Sequence, residues 1–461
     1  MSTKPHITAN NPFSAWNFIR RAEQDRLGRL KALFDQYGDV VQIEIMGQRQ
    51  AIIRHPDHLH RILVEDVAQF PKDRSYTDAQ RGLARFLGTG LLTSAGDFWK
   101  RQRKLTAPAL HHKRIAGYAG MIVDFTQRLM DTWKNGDVID VDRAMMHTTL
   151  DIVTHSLFNV NVADDSARIA AAVDVMQIQA VTMDGLGILL PLWVPTPQRT
   201  AEARAVRDLD RIVYRIIRER RAEGDVDRGD LLSMLLQVRD DDDQGMSDRQ
   251  IRDEVVTIFL AGHETTANLL NWTWVLLDQH PDIAHRLHNE LDSVLNGRLP
   301  TLEDVKCLPY TEMVVKEAMR LYPPAFAISR MAAQDADFDG VHIPAETTLV
   351  LMIHAMHHDA RWWPNPEAFQ PERFHPDNDH PLNRRAYLPF GDGPRVCIGN
   401  GFAMMEAVLM VAQIASRYTL ALEGEVPEVS PMLTLRPKNG LRMRLRERAA
   451  TAQRVAAEAA L

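Results

Sequence analysis

Phe390-Gly391-Asp392-Gly393-Pro394-Arg395-Val396-Cys397-Ile398-Gly399 is the stretch on which the reading of this 461-residue chain turns. It holds one of only two cysteines, behind two glycines and a proline that bend the backbone. Phe402 to Tyr418, just after it, is apolar at helical spacing and predicts a helix. Unpaired N–H groups and the positive dipole end at a helix start stabilise a thiolate. Arg395, two residues earlier, can hold an anion on the same face. A lone cysteine is most often a small buried thiol. A thiolate beside a cation instead suits a heme iron, with the arginine against a propionate.

Working outward, two cysteines cannot build a disulfide framework, and one is committed to metal, which points to a reducing cytoplasm. No N-terminal stretch approaches transmembrane length, and the apolar run Leu186 to Val194 is short and broken by Pro191. The expectation is a soluble chain without a membrane anchor. A net charge of −7 speaks against nucleic acid as a partner. Basic residues nevertheless gather at Lys100, Arg101, Arg103, Lys104, Lys113 and Arg114, and again from Arg436 to Arg448. Asp240 to Asp243 reads as a solvated acidic loop.

Apolar-polar alternation from Val40 to Arg54 predicts a β-hairpin around Gly47-Gln48. From about Asp57 to Tyr322 the pattern is helical. Strand character returns around Phe338 to Met356, punctuated by Gly340 and Pro344. Asp359 to Pro394 is a long irregular stretch, which in a compact domain marks a functional site. No repeat or linker divides the chain, so residues 1–461 are expected to form one domain, with 449–461 a fraying Ala-rich tail. The fold class expected is mainly α with small β-sheets.

Phe390 to Gly399 resembles the heme-binding loop of the cytochrome P450 family, Phe-x-x-Gly-x-x-x-Cys-x-Gly, at every fixed position. Ala403 fits the small residue that follows. The resemblance implies the cytochrome P450 fold and heme b (iron protoporphyrin IX), with Cys397 as the axial ligand of the metal and Phe390 and Arg395 in its cradle.

Four further motifs follow the family's order. Arg252 to His280 reads as a buried helix, and its Ala261-Gly262-His263-Glu264-Thr265-Thr266 is similar to the family's oxygen-binding stretch. Glu264 and Thr265 are then an acid–alcohol pair that delivers protons through water to dioxygen. Gly262 would open the helix where dioxygen sits, and His263 is structural. A packing role for the glycine, with the threonines bonded to the preceding turn, is the alternative that the residues alone leave open.

Glu317 and Arg320, on a helix from Pro309 to Tyr322, resemble the family's Glu-x-x-Arg, and Pro371-Glu372-Arg373-Phe374 matches its partner motif. The implied Glu317–Arg320–Arg373 network locks the cysteine loop. Trp99 and Arg103 share a face of a helix starting near Asp97 and resemble a Trp-x-x-x-Arg that reaches a heme propionate. Arg330, seven residues after Pro323, stands where the family often places another propionate-binding cation. Lys100, Arg101 and Lys104 would face outward toward an acidic electron donor. Asn400 stands where many relatives carry a cation.

The activity implied is a monooxygenase that puts one atom of O2 into a C–H bond of a lipophilic small molecule, fatty-acyl or terpenoid. Tyr76–Thr93, Met176–Pro195 and Ala325-Phe326-Ala327 would border the substrate. No flavin or iron–sulfur motif is present, so an external electron donor, a ferredoxin with its reductase, is expected. Two other classes stay open: a heme-thiolate isomerase, dehydratase or peroxygenase, and a non-catalytic heme-binding sensor. His354, His357, His358 and Asp359 do not form a second metal site by spacing. Leu87-Gly88-Thr89-Gly90 lacks the strand–turn–helix context of a dinucleotide site.

Overall fold

A capping box sets the start of the central helix. The Gln250 N–H donates to the Ser247 hydroxyl at 3.3 Å, and the Ser247 N–H returns to the Gln250 side chain at 2.8 Å. The helix runs Asp248–Gln279, four residues earlier than Arg252, and Pro281 opens the next one. The computed structural model describes residues 6–9, 25–158, 168–169, 171–172, 175–176, 194–224, 226–240, 242–378 and 385–448. Most of Met176–Pro195 and of the run Leu186–Val194, and the tail from Ala449, lie outside them.

The longer helices are Arg26–Tyr37 (α1), Gly96–Thr106 (α2), Ala119–Asp131 (α3), Val141–Phe158 (α4), Pro197–Ala222 (α5), Asp248–Gln279 (α6), Pro281–Leu295 (α7), Pro309–Leu321 (α8) and Asn400–Arg417 (α9). Buried side chains of α3, α4, α6, α7, α8 and α9 merge into one apolar cluster. Each large side chain in it contributes about 1.5–3 kcal/mol over exposure. This burial outweighs the weak helix propensity of α6, which carries Gly262 and several threonines. Tyr418, expected in α9, instead begins a strand, with its ring buried against Trp133.

The strands are His6–Ala9 (β1), Val40–Ile45 (β2), Gln48–Ile53 (β3), Val138–Asp140 (β4), Ile328–Met331 (β5), Ala336–Phe338 (β6), Val341–Ile343 (β7), Thr348–Leu351 (β8), Tyr418–Leu422 (β9), Val429–Pro431 (β10), Leu435–Pro437 (β11) and Arg442–Glu447 (β12). One sheet has the order β1-β2-β3-β8-β5, and a smaller one β4-β12-β9. β3 pairs in parallel with β8, Ile53 opposite Leu351, and β4 pairs with β12, Val138 opposite Arg444. The first hairpin turns at Met46-Gly47, both with positive φ, so Gln48 already belongs to β3. The end of the stretch read as strand, Ile353 to Met356, lies instead in the helical turn Ile353–His357. Among the described residues no helix is long and apolar enough to cross a membrane.

Candidate active site

The bend of the cysteine loop rests on two glycines in left-handed conformation, one of them with no room for a side chain. Gly391 and Gly393 have φ of 71° and 67°, and a Cβ on Gly393 would lie 2.0 Å from the Leu63 carbonyl oxygen. The Asp392 carboxylate accepts from the Gly393 N–H at 2.7 Å, and the Cys397 N–H donates to the Phe390 carbonyl at 2.9 Å. Protein crowds round the Cys397 thiol. That crowding pushes its thiol up, while the Gly399 N–H and the Arg103 charge pull the other way. Phe390 is half-buried and packs on the main core.

Four cations gather beside the loop. Arg395 lies 4.1 Å over the Trp99 ring and donates to the Ser94 carbonyl at 3.0 Å. Burial, with Arg330 and Arg103 nearby, lowers it to about 10. Arg103 donates to the Val396 carbonyl at 2.9 Å, so its guanidinium is fixed to the cysteine loop. Arg330 is buried in β5 and bonds the Ser329 carbonyl at 2.8 Å. The fourth, Lys72, escaped the sequence reading. Its ammonium stands 3.6 Å over the Tyr76 ring, and burial with Arg330 and Arg395 holds it well below the ordinary lysine range. Among the described residues, the one carboxylate that bears on this group is Asp73. Several cations that depress one another and share one acid have the charge that two propionates would balance. The residues fit heme.

Behind the loop, Arg320 donates through Nε and Nη2 to the two oxygens of Glu317 at 2.8 Å each, with both residues wholly buried. Arg373 reaches the same carboxylate at 3.1 Å, and the Gln370 N–H at 3.0 Å. The remaining donors of Arg320 go to the carbonyls of His357, Pro366 and Ala368. His357 passes the connection on, accepting from the Leu388 N–H at 3.0 Å two residues before Phe390. The irregular stretch is thus pinned to α8 at several backbone points.

On α6, Ala261 is exposed and Ile258, Gly262 and Thr265 are half-buried, whereas the residues around them are buried. At 100° per residue these positions form one stripe facing an open space. Thr265 donates to the Ala261 carbonyl at 2.7 Å. Glu264 points elsewhere: it accepts from the Thr434 hydroxyl at 2.5 Å, on the turn between β10 and β11. Asn268 donates to the same hydroxyl, and Trp272 to the Leu435 carbonyl. The Glu264 carboxyl thus meets Thr434 while the Thr265 hydroxyl stays on the stripe, the two side chains leaving the helix in different directions. Gly262 allows close packing: a Cβ there would stand 2.9 Å from the Val153 side chain on α4.

The glycine pair Gly88/Gly90 also has a structural purpose. A Cβ on Gly88 would fall 2.1 Å from the Asp253 carboxylate, and one on Gly90 2.3 Å from the Thr257 hydroxyl. Asp253 accepts from the Thr89 N–H at 2.8 Å, and Glu254 from the Leu91 N–H at 3.0 Å. Burial pushes Glu254 up to about 7, the Leu91 bond opposing and the Asp253 charge adding. This loop is strapped to α6. Likewise Arg101, expected to face a partner, binds Asp240 of the acidic loop at 2.6 Å. Phe326 turns away from the open space into the cluster around Phe34, leaving Ala325 and Ala327 half-buried beside it. A surface cleft lined by His280, Arg286, Phe369 and Arg373 contains none of the loop or stripe residues.

A sequence profile described as Cytochrome P450 matches residues 5–443. The chain is similar to cyclooctat-9-en-7-ol 5-monooxygenase of Streptomyces melanosporofaciens, 35% identical over 388 residues and 83% of each chain. Pentalenene oxygenase of Streptomyces avermitilis is 32% identical over 443 residues, 95% of each. Among solved structures, the cytochrome P450DA heme domain superposes with a TM-score of 0.80 at 27% identity, covering 95% of this chain and 94% of that one. A retinoic acid-bound cyanobacterial CYP120A1 reaches 0.81 at 24% identity, covering 93% and 96%, a likeness of fold.

Proposed function

The chain belongs to the cytochrome P450 family, and we propose that this member oxidises a terpenoid, with its heme lying between the Cys397 thiol and the Ile258/Ala261/Thr265 stripe. It is a heme-dependent monooxygenase of lipophilic substrates, using O2 and electrons from an external redox partner. Heme b, ligated by a cysteine thiolate, supplies the dioxygen-cleaving redox chemistry.

The chain's own residues do the rest. Cys397 would hold the heme iron as a thiolate. Arg103, Arg330, Arg395 and Lys72 would hold the propionates, with the Trp99 ring packed on Arg395. Thr265 offers a hydroxyl on an otherwise apolar stripe, where it can orient water and pass protons. The Glu317 network keeps the loop at fixed distance from α8. Exposed Lys100 and Lys104 lie on α2, whose Arg103 touches the cysteine loop, which supports a ferredoxin as the donor. Low cysteine usage supports a cytoplasmic setting.

The observation that carries the substrate reading is that stripe: one hydroxyl among Ile258, Ala261 and Gly262, suited to a bulky hydrocarbon. The terpenoid-oxidising relatives favour the same class over fatty acids. A spin-state titration of the ferric protein tests it. Cyclic terpenoids should give a saturable low-to-high-spin shift and fatty acids of similar size none; the reverse order would overturn the terpenoid reading.

A further inference from the structure

The turn between β10 and β11 has no part in the reading above, yet it holds the Glu264 carboxyl. As a carboxylate, Glu264 can only accept, so the one proton of the Thr434 hydroxyl points to it, at 2.5 Å. Asn268 completes the order by donating from Nδ2 to Thr434 Oγ1 at 2.9 Å. All three residues are buried, and the Asn268 carbonyl oxygen has no hydrogen-bond partner among the described residues. An amide buried with one end unpaired costs stability. Its one described side-chain bond is the one that orients Thr434. The next residue braces the turn from two sides. The Leu435 N–H donates to the Pro324 carbonyl at 3.1 Å, and the Leu435 carbonyl accepts from the Trp272 indole at 3.1 Å. Trp272 in turn stacks on Tyr322, with ring centroids 4.1 Å apart, and the Leu435 side chain shares a cluster with Phe326. Thr434 is thus fixed to α6 on one side and to the segment leading into Ala325-Phe326-Ala327 on the other.

We propose that Thr434 is a positioning residue for oxygen activation. Through its hydroxyl it sets where the Glu264 carboxyl lies relative to Thr265, from a turn braced on the border of the substrate space. The proposal rests on the monooxygenase activity and on Glu264 as the acid beside Thr265, not on the terpenoid reading. Productive turnover is R–H + O2 + 2 e⁻ + 2 H⁺ → R–OH + H2O, with electrons from the external donor. An acid out of place sends the same electrons and protons into hydrogen peroxide, O2 + 2 e⁻ + 2 H⁺ → H2O2, and leaves R–H unchanged. Thr434 gives up no proton itself; it fixes the group that does.

Thr434→Val keeps the shape and removes the hydroxyl. Product per electron pair should fall about 10-fold, the weight of one hydrogen bond to a charged group, with hydrogen peroxide rising to match. Thr434→Ser, which keeps the hydroxyl, should restore coupling. Asn268→Leu, which removes the group that orients Thr434 without altering the turn, should lower coupling in the same direction. In a Glu264→Gln protein, whose coupling is already low, Thr434→Val should lower it no further. Unchanged coupling in Thr434→Val or Asn268→Leu, no rescue by serine, or equal losses in both backgrounds would each overturn the proposal. Glu264→Gln with normal coupling would overturn it together with the acid role of Glu264. A second arm needs neither turnover nor substrate. Infrared difference spectra of the ferric protein against Glu264→Gln isolate the Glu264 carboxylate band, and Thr434→Val should displace it. A band indifferent to Thr434→Val overturns the proposal whatever the activities. Failure of the terpenoid reading would appear in the spin-state titration instead.

Discussion

A single hydrogen at position 262 decides how closely two helices meet. Gly262→Ala gains about 1 kcal/mol of helix propensity but forces a methyl against Val153. Overpacking of that kind costs about 1–3 kcal/mol, so the clash wins and the denaturation midpoint should drop. Adding Val153→Ala removes the clash and should recover most of that loss relative to the Val153→Ala protein alone. Guanidinium unfolding of the four proteins would read this coupling, and additive effects would refute the packing role. The same scale accounts for Thr265 and Glu264. One position apart on a helix is enough to send one side chain to the open stripe and the other to Thr434.

At the scale of elements, α8 carries the lock on the cysteine loop. Glu317→Ala leaves Arg320 charged and unpaired in a fully buried place, a loss of about 3–5 kcal/mol. The purified variant should hold little heme per chain; a full heme complement would remove the lock from the account. The Glu317/Arg320 pair, the cysteine loop and the Trp99/Arg103 helix were readable from sequence because each is a pattern within one turn or loop, whereas Arg373, 56 positions from Glu317, was supplied by the family's partner motif. Spacing says nothing about what arrives from elsewhere in the chain. Thr434 meets Glu264 across 170 positions, and Glu254 receives the Leu91 N–H across 163. Lys72, a lone cation between Pro71 and Asp73, has no periodic neighbour to mark it. Glu406 was not singled out by the sequence, and only the packing around it reveals a wholly buried acid whose oxygens lack hydrogen-bond partners among the described residues. The first hairpin was misplaced by one residue because Met46, not Gln48, takes the positive φ beside Gly47.

Across the whole molecule, buried titrating groups set a narrow stability window. His288 is held down to about 4 by burial first, and His354 and His357 lie well below the usual histidine value. The unfolded chain takes up protons there below about pH 6.5, so acid destabilises. Glu254 and Glu406 act in the opposite sense, being raised from 4.5 to about 7 and about 8. Their stabilisation is complete below the unfolded value and disappears as pH rises through the folded ones. The thermal midpoint should therefore peak near pH 6.5 and fall toward pH 8. Glu254→Gln with Glu406→Gln should flatten that fall, and an unaltered alkaline limb would contradict the assignment. The parallel pairing of β3 with β8 has a consequence in time. Ile53 emerges from the ribosome roughly 300 residues before Leu351, a wait on the order of tens of seconds at about 5–20 residues per second. Until then that edge of β3 lacks its partner strand, so slowing translation should increase aggregation of newly made chains rather than relieve it.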